Sequence, residues 1–218
     1  MGMDVEVHLL NMKTYRDEFL PAYNSFFESG ETSHLTRLLN RVIGELPEKS
    51  SRLELTEPKG IYENHLDILE GREFYAPGAG AARTTATLKT NPRHMREFVR
   101  NNVGPSIAYV LCSELRPGIP SCINMTRTKL ARYLRDHSHW VEEMFTFERQ
   151  LKGPALAVSI GESAELLTNE ETQRFYEEVV GAGRPGLDAG LQEEYDGLLA
   201  LLRAASQNSD LCAAIVVI

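Results

Sequence analysis

Two histidines, His137 and His139, stand one residue apart in the longest periodic segment of the chain, about 126–151. At 100° per residue on a regular helix, His137 falls inside the apolar arc of Leu130, Tyr133, Leu134, Trp140, Val141, Met144, Phe145 and Leu151. Glu148 falls near the centre of the same arc. Glutamate is seldom buried without a partner, so a His/Glu pair on a core-facing stripe points to a polar pocket. There His137 would act as base or ligand and Glu148 would orient a substrate or a cation. Eleven positions of helix separate them by about 16 Å, so they cannot grip one atom together. The structural alternative makes His137 a hydrogen-bonded core histidine and sets Glu148 beyond the buried part of the helix. These two residues are the catalytic candidates.

His139 belongs to the opposite, polar face, with Glu143 four residues later. A pair at i, i+4 can chelate a divalent ion, as in helical zinc motifs. HExxH is absent, and a solvated ion pair explains the same spacing. No metal and no cofactor are expected, with His139 and Glu143 as the candidates should a metal be found.

Arginines supply the clearest anion chemistry. Arg93, Arg96 and Arg100 lie within about 60° of one another on a helix, opposite Met95, Phe98, Val99 and Val103. Lys129, Arg132 and Arg135 form a looser second stripe. Guanidinium forks match phosphate and carboxylate geometry, so the first stripe is a candidate ligand-binding surface. A solvated face paired with Glu97 and the acidic flanks is the plainer alternative. Gly78 to Thr85 is rich in small residues that let backbone N–H groups approach an anion. Yet GxxxxGK[ST] is absent and GxGxxG lacks its third glycine, so 72–90 reads as a flexible loop. Within it, Tyr75 and Arg83 are candidate ligand contacts from a lid. Cys112 lies in an apolar context that suits an inert thiol. Ser159 sits outside any Gly-x-Ser-x-Gly elbow. His65 lies on the apolar side of its helix and reads as a core residue.

Behind these groups stands a chain of 218 residues with net charge −8. Residues 1–71 carry 7 basic and 13 acidic side chains (net −6), 72–152 carry 13 and 7 (net +6), and 153–218 carry 3 and 11 (net −8). An acidic–basic–acidic layout with no helix-turn-helix, zinc finger or RNP motif disfavours nucleic acid. It suits a protein partner or an anionic small molecule. The three cysteines Cys112, Cys122 and Cys212 form no CxxC pair. The N-terminus has no signal-peptide pattern, and apolar runs fall far short of the roughly 18 residues that span a bilayer. A reduced, cytoplasmic setting without membrane insertion is the expectation.

The elements that must position these residues are legible in part. Asp4 to Leu10 alternates as an amphipathic strand, and Leu211 to Ile218 is an apolar run that suits a strand buried in a sheet. Thr14 suits an N-cap of a helix reaching Phe27, with a kink at Pro21. Leu35, Leu38, Leu39, Val42, Ile43 and Leu46 share one face of a helix over 33–46 that Pro47 should stop. A helix over 60–70 should bury Ile61, Leu66, Ile68 and Leu69. Asn91 and Pro92 open a helix that Gly104 and Pro105 should close. Short strands are expected at 52–55 and 155–160, and Ser106 to Cys112 suits a buried strand or a helical turn. Thr168 to Glu171 is a capping-box pattern, and a last helix covers 188–205. Together these predict a helix-dominated α+β fold, one domain over 1–218, with a small mixed sheet that includes both terminal strands. The function expected is a binding or regulatory protein, immunity- or inhibitor-like, that recognises another macromolecule through its charge-zoned surface. The alternative is an enzyme or ligand binder with an anionic ligand between the 126–151 helix and the 72–90 loop.

Overall fold

The computed structural model describes residues 5–49, 59–72, 91–125, 129–146, 163–186 and 188–217. They divide into two compact units: Met1–Lys13 together with Ser113–Ile218, and Thr14–Cys112. The expected 52–55 and 155–160 strands and nearly all of the 72–90 loop lie outside the described residues.

The first unit is α+β. Its strands are β1 (Val5–Asn11), β2 (Cys122–Asn124), β3 (Ser163–Leu166) and β4 (Leu211–Val217), in the order β2-β1-β4-β3. Every pairing among the described strands is antiparallel, where a mixed sheet was expected. The two terminal strands are neighbours at its centre, Val5 opposite Val217 and Asn11 opposite Leu211. Alternation along β1 sends Val5, Val7 and Leu9 into a core shared with Leu211, Ala213 and Ile215. On that face pack α8 (Asn169–Ala182) and α9 (Ala189–Gln207), through Phe175, Val179, Leu198 and Leu202. The capping box is present: Thr168 Oγ1 accepts from Glu171 N at 3.2 Å, and Glu171 Oε2 accepts from Thr168 N at 2.8 Å. α9 opens where Asp188 Oδ1 accepts from Leu191 N at 3.2 Å.

The expected single helix over 126–151 is instead α6 (Lys129–Leu134) and α7 (His139–Thr146), with a turn between them. A carboxylate from α8 is the cause. Glu178 Oε2 accepts from Ser138 Oγ at 2.7 Å and from His139 N at 3.0 Å, satisfying the N-terminus of a new helix. Apolar spacing alone did not reveal the break, because Leu130, Leu134, Trp140 and Val141 still reach one core on either side of it.

The second unit is helical: α1 (Leu20–Ser29), α2 (Ser33–Lys49), α3 (Lys59–Leu69), α4 (Pro92–Phe98) and α5 (Gly104–Cys112). Two π-turns join elements end to end. Tyr15–Phe19 precedes α1, and Val99–Val103 links α4 to α5. Each is followed two residues later by a proline, Pro21 or Pro105. Proline offers no N–H and its ring crowds the carbonyl four residues back. Widening the preceding turn to i→i+5, as in Leu20 N–H to Tyr15 O and Gly104 N–H to Val99 O, relieves that crowding and keeps the helix running.

Three expectations are therefore corrected. Gly104 and Pro105 do not end a helix; the helix runs on through 106–112, which takes the helical of its two expected readings. Thr14 has helical backbone in a run that starts at Met12, so it is not an N-cap. Pro47 lies inside α2, exposed, rather than after it. Of the expected α2 face, Leu35, Leu38, Leu39, Val42 and Leu46 are buried and Ile43 is half-buried. On α3 the buried stripe runs through Tyr62, His65, Ile68 and Leu69, while Ile61 and Leu66 are only half-buried.

Candidate functional site

The broken helix redistributes the sequence candidates. His137 lies in the turn between α6 and α7 and is exposed, its ring 6.0 Å from that of Tyr133. It does not join the apolar arc, because the turn carries it away from the α6 face. Glu148, its expected companion, lies outside the described residues, as do Tyr75 and Arg83. His139 opens α7, and its Nδ1 pairs with Glu178 rather than with a residue on its own helix. Glu143 lies on α7 beyond its described side chains.

Arg93, Arg96 and Arg100 are all exposed. Arg93 Nε donates to Glu97 Oε1 at 3.1 Å, one helical turn on. Arg100 lies over the Phe27 ring at 5.4 Å and its charge also faces the Tyr23 hydroxyl. The first and last arginines of the stripe thus spend charge on local partners, as a solvated helix face does. Lys129, from the looser stripe, binds Asp188 Oδ2 at 2.6 Å.

A concave surface of the first unit lies along α9. It is a groove of about 700 Å³ bordered by Gly118, Pro120 and Ile123 on one side and by α9 from Ala189 to Gly197 on the other. Gly197 permits the close approach, since a Cβ there would sit 3.2 Å from Pro120 Cγ. Four carboxylates mark this stretch: Asp188, Glu193, Glu194 and Asp196. Two are neutralised locally. Arg184 binds Asp196 through both Nε and Nη2, at 3.1 and 2.6 Å, and Lys129 binds Asp188. The Lys129 hydrogen bond, helped by the Leu191 N–H, holds the Asp188 carboxyl below the usual carboxylate range. Glu193 and Glu194 form no ion pair among the described residues, and both line the groove.

A separate polar cluster sits on the other face of the sheet, where Glu6, His8 and Cys122 converge at the β1–β2 pairing. Burial opposes ionisation of Glu6. Hydrogen bonds from His8, Cys122 and Asn124, with the attraction of His8, outweigh it and hold the carboxyl below its ordinary value. Cys212, by contrast, has its thiol pushed up to about 12 by burial and is chemically quiet. Sequence reasoning passed over the Glu6 cluster because its members are 2 and 114 residues apart and β2 is only three residues long. Alternation placing Glu6 and His8 on one side of β1 was the one legible signal. Among the described residues, no helix is long and apolar enough to cross a membrane.

Compared with protein-family models, curated proteins and solved structures, the chain matches none.

Proposed function

We propose that the chain is a binding protein that recognises a basic segment of another macromolecule through the acidic groove along α9. The observation that carries this reading is the pairing state of the charges. Each basic group beside the groove, Lys129 and Arg184, already holds a carboxylate, while Glu193 and Glu194 face the concavity without an ion pair among the described residues. A lysine- or arginine-bearing partner meets carboxylates there that hold no ion pair, Glu194 attracting Lys129 only from a distance, and complementarity of this kind sets specificity and association rate more than affinity. The charge zoning of the sequence supports the same partner class. Residues 153–218 carry 3 basic and 11 acidic groups, net −8, so a cation approaching α9 is drawn by the whole segment.

The test uses a lysine/arginine-rich peptide and a glutamate-rich peptide of equal length as probes of the full chain. The basic peptide is expected to bind, more weakly as salt rises. Glu193→Lys with Glu194→Lys is expected to weaken it by about tenfold or more, equal to about 1.4 kcal/mol. Equal binding of the two peptides, or indifference to the charge reversal, contradicts the reading.

A further inference from the structure

On β1 the side chains that do not enter the α8–α9 core include Glu6 and His8. Antiparallel register sets His8 opposite Cys122 and Glu6 opposite Asn124. His8 Nε2 lies 2.7 Å from Glu6 Oε2, and Cys122 Sγ lies 3.2 Å from the same oxygen. Asn124 Nδ2 donates to Glu6 Oε1 at 3.2 Å. One nitrogen, one oxygen and one sulfur therefore stand within 4.8 Å of one another on two adjacent strands.

We propose that Glu6, His8 and Cys122 bind one divalent transition-metal ion of the zinc class, with Asn124 orienting the Glu6 carboxylate.

Three physical points carry this. Imidazole, carboxylate and thiolate are the ligand set of borderline-soft ions, and a thiolate disfavours magnesium and calcium. Zinc bonds of about 2.0–2.3 Å imply ligand–ligand edges of about 3.3–3.7 Å in a tetrahedron. The Cys122–Glu6 edge of 3.2 Å is already close to that, and the His8–Glu6 edge of 2.7 Å needs to open by only about 0.7 Å. Charge balance is the third. His8 is fully buried, and a lone divalent ion beside it would be costly. One carboxylate and one thiolate neutralise the ion, while imidazole adds no charge.

On binding, the Cys122 S–H bond breaks, its proton leaves to water, and the sulfur lone pair forms the metal bond. His8 changes tautomer, the proton that Nε2 donates to Glu6 moving by way of solvent to Nδ1, and Nε2 then contributes its lone pair; Glu6, already ionised, contributes an oxygen. Three protein ligands leave the fourth position to water, as in exchangeable rather than closed structural sites. The Glu6 side chain, 15% exposed, marks the way in.

The experiment titrates the reduced, chelator-treated full chain with cobalt(II) and then displaces it with zinc. One equivalent of cobalt is expected to give a thiolate-to-metal charge-transfer band that zinc abolishes. Cys122→Ser should remove the band, and Asn124→Ala should keep it while weakening affinity by about 10–100-fold. Zinc should also slow alkylation of Cys122 in the unmodified protein, mapped by mass spectrometry, which needs no variant to fold. Absence of the band, its survival in Cys122→Ser, or unchanged Cys122 alkylation with zinc overturns the proposal.

Discussion

His65 shows how position converts an ordinary side chain into a pH-dependent one. It is buried on α3 with its ring edge-on to Phe98, centroids 5.4 Å apart, and among the described residues its Nδ1 meets no hydrogen-bond partner. Burial alone lowers its pKa from 6.5 to about 4. The folded value lies below the unfolded one, so between those pH values the unfolded chain binds the extra proton. Stability is therefore complete above about pH 6.5 and is lost as pH falls towards about 4. The loss from this one group is on the order of 3 kcal/mol. An NMR titration should find the imidazole midpoint near 4, and His65→Phe should flatten that part of the stability–pH curve. A midpoint near 6.5 would contradict the burial argument. At this scale the sequence was readable where one side chain meets a uniform environment, as His65 does. It was not readable where chemistry depends on residues from several strands or helices. Glu178 reaching His139 and Cys122 reaching Glu6 are both long-range contacts that no local spacing announces.

Helical elements respond to glycine according to what faces the missing side chain. Gly44 lies exposed in α2 with nothing within 4 Å of the place a Cβ would take, whereas a Cβ at Gly197 in α9 would meet Pro120 Cγ at 3.2 Å and Ile123 Cδ1 at 3.4 Å. Gly44→Ala should stabilise by about 0.5–1 kcal/mol in denaturant titrations, the usual gain in a helix interior. Gly197→Ala should yield no such gain, and Gly197→Val should destabilise by about 1–3 kcal/mol through overpacking. If Gly197→Ala stabilised as much as Gly44→Ala, the close approach of Pro120 to α9 would be refuted. Elements with strong local signatures were legible: the Thr168–Glu171 capping box, the Asn91–Pro92 helix start, and the alternating β1. The 106–112 segment was ambiguous because a short apolar run carries no period to separate strand from helix. The π-turn ahead of Pro105 decided it, and nothing in the apolar pattern encodes that turn. The three-residue β2 was equally silent, since its partner β1 defines it.

At the scale of the whole molecule, charge is zoned along the sequence, net +6 over 72–152 and net −8 over 153–218. The basic middle of the sequence suggested an anion-binding stripe. Arg93 pairs with Glu97 and Arg100 faces Phe27 and Tyr23, while Glu193 and Glu194, the latter also attracting Lys129, line the groove along α9. The division into two units was also hidden, because no change of composition marks Lys13 or Ser113. The first unit is discontinuous in sequence: β1, from one end of it, lies between β2 and β4 from the other. The most direct test of the binding account is amide hydrogen exchange of the full chain, read peptide by peptide, with and without the lysine/arginine-rich probe. Slowed exchange is expected in Ala189–Gly197 and in the 118–123 segment that faces it. Protection over Pro92–Phe98 instead, or no protection beside the groove when the probe is bound, would contradict the account.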